Sequence, residues 1–451
     1  MKLSIIVTTY NIENYIEQCL KSIVNQTLQD IEIIVVDDAS TDNTANLVKD
    51  FAQKDSRIKT VIFEQNTIGG VSSAANAGLD IASGDYVGFA DGDDWYELDM
   101  FERLFELAES DDADIAFCNY LEFDESNNQN KVPSDAKKWP EIQPFIGKTN
   151  VSDDFKRKLL RLNPVPWRKI YRRSWLEMHH IRFPVGDYFF EDNPFHWQST
   201  VLASKIVFDD FIGCYHRINR PGQSMARADR KLLAMYEHHQ TILDILNTTA
   251  SSRFYEQSFG WLVGNTCWIA RKIEPEFMHE LFVMFKQQVL SYPLDWVKSL
   301  LNTSVLGRYG SDLVKTIIED DYEAFYVVAK GKKAKLDNHQ PNSDKSPPPN
   351  SSINSLVAQS IHTYKSEGLK ALLKKIKAYL EYRYNLKLHS FFWVSNRRLL
   401  KELQVIKKES KAVKQEVQIL KVALLLQQKE HESTQKTMVQ RKNKISVEDE
   451  V

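Results

Sequence analysis

Three groups of carboxylates stand out by what precedes them. Asp91, Asp93 and Asp94, with Gly92 among them, end the apolar run Tyr86-Val-Gly-Phe-Ala90. Asp37 and Asp38 end Ile31-Glu-Ile-Ile-Val-Val36, and Glu191 and Asp192 follow Phe189-Phe190. Acids this close together repel one another unless a cation neutralises them. Hard oxygen ligands suit Mg2+ or Mn2+, and Mg2+ ordinarily takes one or two carboxylates together with substrate phosphates. The segment 91–94 therefore reads either as a divalent metal site holding a diphosphate or as a solvated acidic turn that caps the next helix. Gly92 reads as the residue that lets the chain turn between the acids.

Such residues act together only if the chain brings them to one place. Apolar runs at 3–7, 31–36, 58–63, 86–90 and 114–120 predict strands. Between them, Ile16, Cys19, Leu20, Ile23 and Val24 recur at helical spacing, as do Ala45, Val48, Phe51 and Ala52 behind a candidate N-cap at Asp42. Gly69-Gly70 leads into a small-residue helix from Val71 to Ile81, and Leu98, Phe101, Leu104, Phe105 and Ala108 line a fourth helix. Alternating strands and helices predict an α/β fold with a mostly parallel sheet and right-handed crossovers. In such sheets ligands bind beyond the carboxyl ends of the strands. Thr8 to Asn11, Asp37-Asp38 and Asp91 to Asp94 would then share one edge, as a nucleotide-diphosphate site requires.

Composition narrows the classes. The 451 residues are enough for two or three domains, and a 43% hydrophobic content supports a real core. A net charge of −3 gives no basic field for nucleic acid. Cys19, Cys118, Cys214 and Cys267 are scattered without a CxxC, which fits a reducing compartment and argues against a zinc or disulfide framework. The apolar start is too short for a secretory signal, and no run of 18 apolar residues predicts a membrane span.

Beyond the sheet, residues 121–150 are polar and interrupted by Pro133, Pro140 and Pro144, and read as loop or lid. Residues 226–330 carry a helical pattern, and 331–354, with Pro347-Pro348-Pro349, read as a disordered linker. Within 355–398, Leu369, Leu372, Leu373, Ile376 and Leu380 form an apolar stripe among Lys370, Lys374, Lys375 and Lys377. That basic amphipathic segment fits either a peripheral contact with an anionic membrane face or packing on the protein. From 399 to 430, Leu399, Leu403, Ile406, Ser410, Val413, Val417, Leu420 and Leu424 alternate at spacings of four and three, predicting a coiled coil and hence a homo-oligomer. The remainder, 431–451, is a polar tail.

Residues 1–225 resemble the family 2 glycosyltransferases of the GT-A fold. The resemblance rests on Ile5-Ile-Val-Thr-Thr-Tyr-Asn11, Val35-Val-Asp-Asp-Ala-Ser-Thr-Asp42, Asn76-Ala-Gly78, Ala90-Asp-Gly-Asp-Asp-Trp95, Trp167-Arg-Lys-Ile-Tyr171 and Phe190-Glu-Asp192, in that order. It implies a GT-A catalytic domain at 1–225 using a UDP-sugar donor. Asp38 would contact the uracil, and Thr8 and Tyr10 would line the base and ribose pocket. Asp91 and Asp93 would form the DXD motif that binds Mn2+ or Mg2+ on the diphosphate, with Asp94 sharing or replacing one contact. Asp192 would be the catalytic base, with Glu191 beside it as the other candidate. Where many members have an Arg before the Asn of Asn76-Ala-Gly78, this chain has Ala75, and Lys169, Arg172 or Arg217 are the cations that would supply the missing charge.

The implied activity is inverting transfer of a sugar to a hydroxyl of a growing surface polysaccharide or lipid-linked glycan. It would take place in the cytoplasm or at the inner face of the cell membrane. The competing reading is a coiled-coil scaffold with a catalytically silent nucleotide-binding domain. Asp37-Asp38 also reads as a helix cap, Glu191-Asp192 as a surface pair, Trp95 and Trp167 as packing, and His216 as structural or a phosphate contact.

Overall fold

Strand β1 (Leu3–Thr9) organises the sheet. It pairs in parallel with β2 (Ile31–Asp37) on one side and β4 (Tyr86–Asp91) on the other, and β2 pairs in parallel with β3 (Ile58–Ile62). All seven residues of β2 are buried, because helices cover both faces; this is why the run shows no polar alternation. Thr9 faces Asp37 and Thr8 faces Asp91, so the three carboxyl ends finish level.

The computed structural model describes residues 1–148, 152–186, 189–221, 228–301 and 303–330, which fall in one compact unit. The linker, basic helix, coiled coil and tail expected beyond 330 lie outside the described residues. No described helix is long and apolar enough to cross a membrane.

Beyond β4 the sheet turns mixed. In full, β5 is Trp95–Tyr96, β6 Ile115–Asp124, β7 Gln129–Lys131, β8 Lys169–Arg172 and β9 Ile206–Ile218, and the order is β3-β2-β1-β4-β8-β6-β9-β5, with β7 on β6. Strand β8 is antiparallel to both β4 and β6, whereas β6 and β9 are parallel. Register shifts around Asn119 bend the β6–β9 pair, as bulges do. Thirteen-residue β9 thus begins in the core and ends beside β5, with Trp95 opposite Tyr215.

The first four helices, α1 (Ile16–Val24), α2 (Thr44–Lys54), α3 (Val71–Ile81) and α4 (Met100–Ser110), match the expected periodicity. Helices α1 and α4 pack with one face of β1 and β2, and α3 with the other. A Cβ on Gly78 would lie 2.4 Å from Ile6 Cγ2, so α3 sits hard against β1. Asp42 stands one residue before Asn43, the N-cap position of α2, and still accepts the Thr44 N–H at 2.9 Å; it also accepts the Glu13 N–H at 3.1 Å, tying the loop after β2 to the loop after β1.

The stretch expected to be a loop or lid is more ordered. Strand β6 runs to Asp124, a hairpin forms with β7, and α5 (Trp139–Ile142) follows. Short helices α6 (Asp153–Leu159) and α7 (Arg173–Met178) precede α8 (Asp192–Leu202).

The remaining helices are α9 (Met235–Thr248), α10 (Tyr255–Lys272), α11 (Met278–Val289), α12 (Leu294–Leu300), α13 (Gly307–Ile318) and α14 (Tyr322–Lys330). They bury a core of their own: Phe259, Leu262, Val263, Ile269 and Ala270 of α10 meet residues of α11 and α13. Leu160, Trp197, Val201, Ile242, Leu246 and Phe254 form a second cluster that joins α8 to α9.

Candidate active site

At the ends of β1 and β2 the two acids divide. Asp37 is fully buried and accepts from Thr9 Oγ1 at 2.8 Å, Ser40 N at 2.8 Å and Ser40 Oγ at 2.6 Å, so it holds the turn together. Asp38 accepts from the Thr67 N–H and from Asn66 Nδ2, both at 2.9 Å, which fastens the loop after β3 to the sheet edge. Burial raises the Asp38 carboxyl above its ordinary range, and the Thr67 N–H works against that. The Asp38 and Gly92 N–H groups donate to Thr9 O and Thr8 O, each at 3.0 Å, so the end of β1 is stitched to both acidic loops. Tyr10 is 47% exposed at this edge. Thr8, Tyr10, Asp38 and Asp91 therefore do converge.

Gly92 is not among the described glycines with positive φ. A Cβ there would lie 2.9 Å from Thr8 O and 2.6 Å from Ile12 Cδ1. Space against β1, rather than conformational freedom, requires glycine.

The acidic turn is built around charge. Asp94 is buried; its Oδ2 lies 2.9 Å from His216 Nδ1 and its Oδ1 accepts the Arg217 N–H at 2.8 Å. Asp93 pairs with Arg220 Nε, and its carbonyl accepts Arg217 Nε at 2.9 Å. The Asp91 N–H donates to the Tyr96 hydroxyl at 3.0 Å. Among the described residues no hydrogen bond reaches the Asp91 carboxylate. Burial, then Asp94 and Asp93, push Asp91 well above its ordinary range. Burial lowers His216, but Asp94, with Asp91 and Asp93, outweighs it and holds the imidazole at about 9.

Asp91, Asp94 and His216 each offer a ligand atom, and these atoms lie within 4.8 Å of one another. A half-buried carboxylate without a hydrogen-bond partner, beside a second carboxylate and an imidazole, fits a divalent cation. The grouping differs from Asp91 with Asp93, because Arg220 takes up Asp93.

His216, which the sequence alone left as structural or a phosphate contact, is the third member of that grouping. It stacks on Trp167 with centroids 5.0 Å apart, and Trp95 stacks on Tyr215 at 5.1 Å, so both tryptophans pack. Of the cations considered for the charge missing at Ala75, none is free at the edge. Lys169 is buried and donates to Pro164 O at 2.9 Å and His196 Nδ1 at 3.1 Å. Arg172 pairs with Asp112, opposite Tyr86 at the far end of β4. Arg217 donates to Gln18 Oε1 at 2.7 Å and pairs with Glu125, its guanidinium enclosed by the rings of Tyr15, Trp95 and Phe123. Arg220, three residues on, is the cation paired with a carboxylate of the acidic turn, that of Asp93.

Glu191 and Asp192 stand where α8 begins, after Phe190 at φ 69°. Left-handed backbone at an aromatic residue is costly and persists only where neighbours enforce it. Asp192 Oδ1 accepts from Asn193 Nδ2 at 2.9 Å. Burial and then Asp192 raise Glu191 to about 7, whereas burial raises Asp192 to about 6 against the pull of the Lys169 ammonium. Glu191 also raises Asp91, so the two acidic groups are within electrostatic reach.

The parallel half-sheet with its acidic carboxyl edge, joined to a mixed half, defines a GT-A-like α/β fold. Residues 4–179 match glycosyl transferase family 2. The uncharacterized glycosyltransferase EpsJ of Bacillus subtilis is 38% identical over 208 residues, which are 46% of this chain and 58% of that relative's length. The putative glycosyltransferase EpsH of Bacillus subtilis is 30% identical over 273 residues, 58% of this chain and 75% of that one. The chain belongs to glycosyl transferase family 2. The crystal structure of S. aureus TarS 1-349 in complex with UDP-GlcNAc shares the fold, with a TM-score of 0.58 and 24% identity over 73% of this chain and 90% of that one.

Proposed function

We propose that this protein is an inverting, metal-dependent glycosyltransferase that moves a sugar from a UDP-sugar to a hydroxyl of a growing surface polysaccharide or lipid-linked glycan. The observation that carries the reading is the separation of two acid groups with different surroundings. Asp91, Asp93 and Asp94 are arranged with His216 and Arg220 around positive charge, whereas Glu191 and Asp192 are half-buried acids with carboxyls raised towards neutrality. That TarS was crystallised with UDP-GlcNAc supports a UDP-sugar as donor.

In this reading Asp38, Thr8 and Tyr10 take the nucleoside. Asp91, Asp94 and His216, the imidazole giving up its proton, would hold the cation, and Asp93 would join them if Arg220 were displaced. A cation held there would supply Lewis-acid stabilisation of the charge that develops on the departing diphosphate. The imidazole makes this donor set softer than the all-oxygen shell Mg2+ prefers, which favours Mn2+. Asp192 accepts the proton of the acceptor hydroxyl as the oxygen bonds to the anomeric carbon. A single base, acting on an acceptor that attacks opposite the leaving diphosphate, turns an α-linked donor into a β-linked product.

The test is UDP release from a panel of UDP-sugars with Mn2+ or with chelator, using wild type, Asp91→Asn and Asp192→Asn. Metal-dependent release from one donor, lost in both variants, is expected. Absence of both release and UDP binding by calorimetry would instead favour the silent-scaffold reading, and a product of retained configuration would exclude inversion.

A further inference from the structure

The helices after residue 228 meet the turn that carries Glu191 and Asp192 at three places. His238 of α9 hydrogen-bonds the Phe189 backbone. Trp268 of α10 stands edge-on to the Phe190 ring, centroids 5.9 Å apart at 87°. Trp261 of α10 donates its Nε1–H to Asn193 Oδ1 at 2.8 Å.

The third contact decides an orientation. An indole N–H can only donate, so the Asn193 oxygen must face Trp261. The Asn193 Nδ2 is thereby turned the other way, to donate to Asp192 Oδ1 at 2.9 Å and Phe190 O at 3.2 Å. Trp261 is itself held. Its ring lies parallel to that of His239 at 6.1 Å and 10°, and both nitrogens of His239 are engaged, Nδ1 by Gln288 at 2.7 Å and Nε2 by the Tyr292 hydroxyl at 3.0 Å. A fully satisfied buried network is rigid, and a rigid donor fixes whatever accepts from it.

We propose that Trp261, acting through Asn193, is a positioning residue for Asp192, so that the helical segment is part of the catalytic apparatus. The proposal rests on the reading of Asp192 as base. Asp192 Oδ1 is committed to the Asn193 amide, and the proton taken from the acceptor hydroxyl goes to Oδ2. The charged or titratable groups that bear on Asp192 are Glu191 beside it and Lys169 and Tyr171 of β8.

The test uses the full chain with Trp261→Phe, which keeps the ring on His239 and deletes the donor. The expected result is a fall in kcat of about tenfold to a hundredfold, since small displacements of a base cost that much. KM for the UDP-sugar should stay within about twofold, because the donor pocket is untouched, and the acid limb of the kcat profile should move to higher pH as Asp192 loses its donor. Asn193→Ala should give the same loss, and the double variant no more than either single change. Wild-type kcat with an unmoved profile in Trp261→Phe overturns the proposal, as does a loss shared equally by kcat, KM and the melting temperature. If Asp192→Asn keeps wild-type turnover, the assignment of the base fails separately. Hydrogen exchange then decides the brace: faster exchange confined to amides 189–196 in Trp261→Phe upholds it, and unchanged exchange there overturns it.

Discussion

The two acidic groups are handled in opposite ways. The turn at 91–94 is met by His216, Arg217 and Arg220, all from β9 and the residues just after it. At the pair 191–192 a neutral amide, Asn193, bonds Asp192, the Lys169 ammonium acts on it through space, and burial outweighs that pull. Positive charge beside the first group offsets part of what burial and mutual repulsion do to Asp91 and Asp94, whose carboxyls still stand above their ordinary range, so that a cation can be exchanged for another cation. Burial around the second group favours the protonated form, so that a proton can be exchanged near neutral pH. Similar residue types at two places in the fold thus have unequal chemistry, set by neighbours rather than by the acids themselves.

The contrast is broken most sharply by Asp192→Asn. General-base loss is expected to lower transfer about a thousandfold. Metal and UDP affinity, measured by calorimetry, should remain within about twofold, because the residues at the strand ends are untouched. A matching loss of UDP affinity would mean that the two groups are one site. His216→Ala should do the reverse, weakening Mn2+ binding about tenfold to a hundredfold, as loss of a contributor to a metal site does, while hydrogen exchange at 189–196 stays unchanged.

The pH dependence separates the groups further. Asp192 must be ionised to take a proton, and its carboxyl stands at about 6, so kcat should rise with pH through that value and level off above it. Stability runs the other way. Glu191 and Asp192 are raised in the folded state, so the fold binds protons more tightly than the unfolded chain. Through these two groups the metal-free protein should lose stability as pH rises from about 4 to about 7, and Asp91 and His216, also raised, extend the loss to higher pH. Glu191→Gln should remove part of this loss and stabilise the chain at pH 8 by about 1–3 kcal/mol in thermal melts. The smallest effect is expected from Arg220→Ala. Removing the cation paired with Asp93 should tighten Mn2+ binding severalfold in the absence of nucleotide, because a competitor is gone.

Much of the first group was legible because it is local. Apolar runs that end in acids mark buried strands and their carboxyl ends, and Thr8, Asp38 and Asp91 do meet there. The partners were not legible. Asp94 and His216 are 122 residues apart, and their meeting depends on the β5–β9 register, which no local pattern encodes. The same holds for Trp261 and Asn193, 68 residues apart. Local errors had local causes. At Gly92 the constraint came from a neighbouring strand, and at Asp42 the side chain bridged two loops besides accepting the first N–H of its own helix.

Strand β9 has a consequence for how this chain tolerates insertion and deletion. Side chains along a strand alternate faces, so removing one residue between Ile206 and Gly213 would exchange the sides on which His216 and Arg217 emerge. Such a deletion would spare every acid named above and still dismantle the surroundings of Asp94. Exchange of segments between relatives should therefore keep 206–218 from a single parent, with the joins placed in the loops on either side.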